Sequence, residues 1–302
     1  MWTVYTYNKL CKHLNYKCLH GVVYKVNMEV IRNLEKRLDA MSENVVLITG
    51  ATTGIGYELS HLFGQEKKNL VLVARGKQKL EEVAEELKQK YGINVYIYPL
   101  DLALADSPLN LYNFTQSKNL HVEVLINNAG FGIKGVVSDI PINEELGMIQ
   151  VNITSLVELT KRYLPAMIKE KKGKILNVAS AASFQPGPFM SGYYASKAFV
   201  LHYSEGLAEE VAEHGITVTA LCPGPTITAF QVRAKMEETL LFKSPFTMTG
   251  KEVARIGFDA MNSGRVVIIS GIMNFILVQG TRFSPRFLVR KISALMNGNG
   301  KS

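Results

Sequence analysis

The chain has 302 residues, 47% of them apolar, and a formal net charge of +8, enough length and hydrophobicity to bury the core of one large α/β domain. The charge is uneven: residues 1–40 hold seven Lys/Arg against three Asp/Glu, residues 281–302 hold five and none, and the rest nets −1. A basic nucleic-acid-binding surface is therefore excluded from the central region, and the excess sits in tails suited to solvent or to an anionic membrane surface.

Residues 1–26 show no steady period and lack the apolar core and cleavage site of a signal peptide, so secretion is not expected. Cys11, Cys18 and Cys222 are an odd set without framework spacing, which fits a reducing, cytoplasmic compartment. Cys11-x-His13 and Cys18-x-His20 match no zinc template, and no metal is expected. Val30, Ile31, Leu34, Leu38 and Met41 then mark one helical stripe, giving an N-terminal helical extension over residues 1–43.

Asn44 to Thr49 is a short apolar strand followed by Gly50-Ala-Thr-Thr-Gly54-Ile-Gly56 and a helical pattern through Leu59, Leu62 and Phe63. Glycines in such a strand–turn–helix let the main chain approach a pyrophosphate, whose charge meets the unpaired N–H groups of the helix. The spacing departs from Gly-x-Gly-x-x-Gly. After the second strand, Leu70 to Ala74, an acidic residue would favour NAD by binding the ribose hydroxyls. Here Ala74 is followed by Arg75, which suits a forked contact with a 2′-phosphate, so NADP(H) is the expected cofactor.

Further β-rich runs follow at Val95–Pro99, Val122–Ile126, Lys174–Ala179, Ile216–Leu221 and Val266–Ile269. Longer helical patterns separate them, such as Gln78–Tyr91 and Asn143–Lys169. This alternation predicts a doubly wound, Rossmann-type parallel sheet with helical extensions at both ends and a catalytic domain over residues 44–271. The glycine turn, Asp101, Asn127-Asn128-Ala129-Gly130, Ser180 and Pro223 all come directly after strands and so converge on one crevice.

Tyr193 and Lys197 stand i, i+4 in a helical stretch and share one face. An ammonium beside a phenol is expected to lower the phenol pKa from near 10, making Tyr193 a usable proton donor or acceptor. Cys222 ends an apolar run and reads as buried filler.

Together these residues resemble the short-chain dehydrogenase/reductase family over about Asn44–Arg265. The family's motifs occur in its order: Thr49-Gly-x-x-x-Gly-Ile-Gly56, Asn127-Asn-Ala-Gly130, Ser180 with Tyr193-x-x-x-Lys197, and Pro223-Gly224-Pro-Thr226. Within the family the chain resembles bacterial ketoacyl-reductase-like and 17β-hydroxysteroid-dehydrogenase-like members.

The resemblance implies a catalytic tetrad of Asn152, Ser180, Tyr193 and Lys197. Ser180 would bind the substrate oxygen, Lys197 the nicotinamide ribose, and Asn152 would support a water path. It also implies a dinucleotide held by Gly50, Thr52, Thr53, Gly54, Ile55, Gly56, Arg75, Asp101, Asn128, Ala129 and Gly130, together with Tyr193, Lys197, Pro223, Gly224 and Thr226. Asp101 would meet the adenine amino group and Thr226 the carboxamide. Thr53 departs from the basic residue that many NADP-preferring relatives carry.

The same resemblance makes residues 226–250, with Phe230, Met236, Leu240, Leu241, Phe242 and Phe246, a lid for an apolar, lipid-like carbonyl substrate. It implies dimers or tetramers formed through helices near residues 145–169 and 191–213. Met41-Ser-Glu-Asn is an ordinary start for the family, so residues 1–40 read as an extension or as sequence upstream of the start. Tyr194 and Ser183 are expected to pack or bond locally. The expected function is reduction of a carbonyl to an alcohol with NADP(H). The rivals are an NAD-dependent alcohol dehydrogenase of the same fold and a non-catalytic cofactor-binding regulator, against which the intact tetrad speaks.

In the C-terminal tail, residues 272–302, Ser284-Pro285 resembles a helix cap with a first-turn proline. Leu288, Ile292, Leu295 and Met296 then fall on one face, with Arg286, Arg290, Ser293 and Asn297 opposite. With the apolar run Ile272–Val278 before it, this basic amphipathic tail suits peripheral, reversible membrane association. The competing expectations are a cap over the substrate pocket and a subunit contact. No run reaches the ~20 apolar residues that span a bilayer.

Overall fold

The computed structural model describes residues 16–19, 22–25, 42–228 and 247–298. The N-terminal unit, Met1–Glu43, contains an antiparallel pair of strands, Tyr16–Leu19 with Val22–Lys25, where the sequence shows no usable period. The expected helical stripe from Val30 to Met41 lies outside the described residues.

Asn44–Ser302 forms a second compact unit. Its elements run β1 (Glu43–Thr49), α1 (Gly54–Gln65), β2 (Asn69–Ala74), α2 (Lys77–Tyr91), β3 (Val95–Pro99), α3 (Ser107–Ser117) and β4 (Leu120–Asn127). Then come α4 (Ile142–Ile149), α5 (Ser155–Glu170), β5 (Gly173–Val178), α6 (Ser191–Val211) and β6 (Ile216–Cys222). The chain closes with α7 (Gly250–Asn262), β7 (Val267–Ile269), α8 (Ile272–Phe283) and α9 (Arg286–Asn297). A π-helical turn at Gln150–Thr154 joins α4 to α5.

The seven strands make one parallel sheet in the order β7-β6-β5-β4-β1-β2-β3. Strand order reverses between β1 and β4, and a crevice opens beyond their carboxyl ends at that switch point. Burial on both faces explains the strand composition. In β1, Val46 and Ile48 enter one core with Leu59, Leu70 and Phe258, while Val45 and Leu47 enter the other with Leu111, Leu159 and Tyr163. All four β1 side chains are fully buried, and alternation along a strand feeds both cores at once. Each such side chain removes about 1.5–3 kcal/mol of apolar hydration cost.

Three expected features of the tail and lid differ or are sharpened. Ser284 does not cap α9; its hydroxyl donates back to the Gly280 carbonyl (2.8 Å), and Pro285 stands just ahead of the first helical residue. The expected apolar stripe of α9 is not its inner face. Val289, Ser293 and Asn297 are buried while Leu288, Ile292 and Leu295 are exposed. Of the lid, Thr226–Ile227 pairs in parallel with Met248–Thr249, so its two ends are tied together; Phe230, Met236, Leu240, Leu241, Phe242 and Phe246 lie outside the described residues.

Candidate active site

A cleft of ≈ 1060 Å³ lies over the switch point. Every sequence-predicted site residue lines it except Gly56 and Asn152. The glycine turn forms one wall. Gly54 adopts φ +57°, and a Cβ on Gly56 would fall 2.3 Å from the Gly50 carbonyl oxygen, so the turn closes against itself only with glycine there. Thr53 precedes α1 without making a side-chain cap bond, and Thr53, Gly54 and Ile55 front the cleft. The first-turn N–H groups and the positive end of α1 are therefore available to an anion, and this cradle fits the pyrophosphate of a dinucleotide.

Thr49 and Asn128 lock the cradle to the neighbouring strand. The Thr49 hydroxyl donates to the Ile126 carbonyl (3.2 Å) and accepts from the N–H groups of Asn128 and Ala129 (3.0 Å each). The Asn128 amide donates to the carbonyls of Thr49 (2.9 Å) and Gly50 (3.0 Å). Sequence reasoning named Asn128 for cofactor contact; its side chain is occupied holding β1 to β4. Arg75 follows β2 on the cleft rim with its side chain exposed. Asp101 accepts from the Ala103 N–H (3.0 Å), and the Thr226 hydroxyl donates to the Gly224 carbonyl (2.9 Å).

On the opposite wall, α6 carries Tyr193 and Lys197. Ser180 follows β5, accepts from the Ala182 N–H (3.1 Å), donates to the Pro223 carbonyl (3.5 Å) and shares the cleft wall with Tyr193. Burial pushes the Tyr193 phenol up to about 12, against the opposing effect of Ser180. Burial also brings Lys197 down to about 8. This corrects the expected ammonium effect. Lys197 Nζ donates to the Val178 carbonyl (2.7 Å) and sits 6.0 Å from the Tyr193 ring centre, so desolvation outweighs Coulombic help to the phenolate.

Asn152 lies behind the cleft wall, 1% exposed, within the π-helical turn, a distortion common at functional sites. Its amide nitrogen donates to the Phe131 carbonyl (2.9 Å) and to Ser196 Oγ (3.0 Å), and its oxygen accepts from the Phe131 N–H (3.1 Å). It joins the segment after β4 to α6.

Two features escaped the sequence reading. The Tyr194 hydroxyl reaches Asn297 of α9 (3.1 Å), not a local partner, while Ser183 donates to the Lys197 carbonyl (2.8 Å). Asn274 of α8 packs so closely that a Cβ on Gly224 would fall 2.2 Å from its amide nitrogen. Both tail helices, through Leu277, Val278, Val289 and Met296 among others, roof the cleft. A cap over the pocket is one of the competing expectations for this tail. Cys222 is fully buried as expected, and burial pushes its thiol up to about 12. No cluster of metal-ligating side chains occurs among the described residues.

A cradle for a pyrophosphate facing a phenol, a hydroxyl and an amine at a switch-point crevice is the working cleft of an NAD(P)-dependent oxidoreductase. Residues 44–239 match the short chain dehydrogenase family, and the chain belongs to it. A very-long-chain 3-oxoacyl-CoA reductase of Anas platyrhynchos is 28% identical over 264 residues, covering 82% of this chain and 83% of that protein. One of the same name from Coprinopsis cinerea is 31% identical over 238 residues, covering 76% and 68%. Among solved structures, a short-chain dehydrogenase from Sphingobium yanoikuyae in complex with NADPH aligns at a TM-score of 0.71 with 30% identity, covering 80% of this chain and 93% of that one.

Proposed function

We propose that this chain reduces the carbonyl of a long, apolar substrate, of the 3-oxoacyl type, to the alcohol, with NADP(H) as cofactor and Tyr193 as general acid. The observation that carries this reading is that Ser180, Tyr193 and Lys197 line the same cleft as the glycine cradle. A nicotinamide dinucleotide bound in that cradle supplies the hydride. Gly50, Thr52, Gly54, Ile55, Ala129, Gly130, Pro223, Gly224 and Thr226 line the cleft and would hold it.

Ser180 hydrogen-bonds the substrate carbonyl oxygen and stabilises the charge that gathers there. Tyr193 transfers its phenolic proton to that oxygen. A phenol held near 12 is protonated at neutral pH, the state reduction requires. Lys197, held at about 8, remains largely an ammonium at pH 7 and offsets the phenolate left behind. Asn152 positions the wall through Phe131 and Ser196.

Two observations favour the finer assignments. Ala74 stands where a carboxylate would repel a 2′-phosphate, Arg75 follows it, and the Sphingobium relative was solved with NADPH. The apolar roof supplied by α8 and α9 suits an acyl chain, as do the names of the two reductase relatives. In this reading the chain works as a homodimer or tetramer.

The direct assay follows NADPH oxidation with a long-chain 3-oxoacyl thioester. Stoichiometric formation of the 3-hydroxy product is expected; cofactor binding without turnover of any carbonyl offered would overturn the assignment.

A further inference from the structure

We infer that the outward faces of α8 and α9 dock on an anionic lipid bilayer, with the cleft lying directly beneath them. A surface helix ordinarily buries its apolar stripe and exposes its polar one. α9 does the reverse. Its buried positions are Val289, Ser293 and Asn297, i, i+4 and i+8, and two of the three are polar. Asn297 is satisfied there, donating to the Pro188 carbonyl (2.9 Å) and accepting from Tyr194, so the orientation is specified by buried hydrogen bonds.

The outer side carries Phe287 (52% exposed), Ile292 (55%) and Leu295 (70%). Helical spacing places these three in one arc, with the exposed Lys291 among them. α8 adds Ile272 (75%), Phe275 (45%) and Phe283 (89%), again on one arc. Apolar surface concentrated this way on two consecutive helices marks an interaction site.

Charge selects the occupant. Lys291 lies within the α9 arc and Arg282 beside the α8 arc, and residues 272–302 contain no Asp/Glu. A second copy meeting this face with its own would oppose like charges, whereas an anionic bilayer accepts both the aromatic side chains and the cations at its headgroup level. Lys291 can bury its stem and extend its ammonium to phosphate. No helix among the described residues is long and apolar enough to cross a membrane, so the contact is interfacial.

The roof is also thin. Ile276, Leu277 and Ile292 each line the cleft and are each more than half exposed. A lipid-like carbonyl would move from bilayer to cleft past these side chains. That consequence rests on the carbonyl-reductase reading; the docking itself does not.

The test is flotation of the full chain with vesicles of phosphatidylcholine alone or mixed with phosphatidylglycerol, which requires no turnover. The wild type is expected to float with the mixed vesicles and to be released by raised salt. The triple variant Phe283→Glu, Phe287→Glu, Leu295→Glu is expected to lose binding by about tenfold or more with an unchanged thermal midpoint. Should that variant misfold, Arg282→Gln with Lys291→Gln decides, with weaker flotation on the mixed vesicles expected. A wild type that ignores both vesicle types, or charge and apolar variants that float as well as it does, would overturn the inference. So would a triple variant that turns a dimer into monomers while the wild type binds no vesicles, since the face would then join copies of the chain.

Discussion

Lys197 Nζ donates to the Val178 carbonyl at 2.7 Å while lying 6.0 Å from the centre of the Tyr193 ring. The amine is thereby held at the end of β5 and its charge is partly spent on a main-chain oxygen. Reduction should accordingly lose kcat/KM as pH rises through about 8, where Lys197 deprotonates; Tyr193 keeps its proton to about 12 and sets no limb below that. A pH profile of wild type against Lys197→Arg checks this. The arginine variant, if active, should move the limb to higher pH; a wild-type limb near 10.5 would contradict the assignment.

The same group makes a stability prediction. Lys197 has its pKa lowered from 10.5 to about 8 on folding, so between those values the unfolded chain binds more protons than the folded one. Its contribution to stability then rises with pH across that window. Tyr193, raised from 10.0 to about 12, gives the opposite slope above pH 10. Thermal melts of Lys197→Met should lack the rise between pH 8 and 10.5.

Cofactor selectivity is predicted to reside at Arg75. Arg75→Asp should weaken NADPH by about 10- to 100-fold, the range for a lost charge-assisted contact, and NADH much less. Titration of each dinucleotide against both proteins measures it. Tighter NADPH binding by the variant would refute the phosphate contact.

Gly56→Ala should disable the cradle. The added methyl would stand 2.3 Å from the Gly50 oxygen and 2.4 Å from the Asn128 amide nitrogen, and the turn must shift or break. Overpacking of this kind costs about 1–3 kcal/mol. Denaturant unfolding together with dinucleotide titration should show both lower stability and weaker binding.

What the residue order made legible is what local periodicity encodes. The strand from Val95 to Pro99 matches its expected limits, and the other core strands fall within two residues of theirs, because two-sided burial forces continuous apolar runs. The glycine turn, Asp101, Asn128, Ser180 and Pro223 were equally readable, since each follows a strand, and Tyr193 and Lys197 were readable from their i, i+4 spacing. Orientation was not. Helical spacing separates Leu288, Ile292 and Leu295 from Ser293 and Asn297, but the contacts of Asn297 with Tyr194, 103 positions apart, and with the Pro188 carbonyl determine which side turns inward. The direction of the Tyr193 shift was misjudged for a similar reason: the i, i+4 spacing predicts proximity, yet Val178, remote in sequence, claims the amine. The pair Tyr16–Leu19 and Val22–Lys25 is too short to carry a period.

The central claim is that Tyr193 protonates a carbonyl oxygen within this cleft. Turnover of a ketone and 3-oxoacyl panel with NADPH, comparing wild type with Tyr193→Phe, tests it most directly. The account predicts a fall in kcat of about 10²–10⁴-fold with NADPH affinity unchanged. Equal turnover by the two proteins would contradict it, as would a wild type that binds NADPH and reduces nothing.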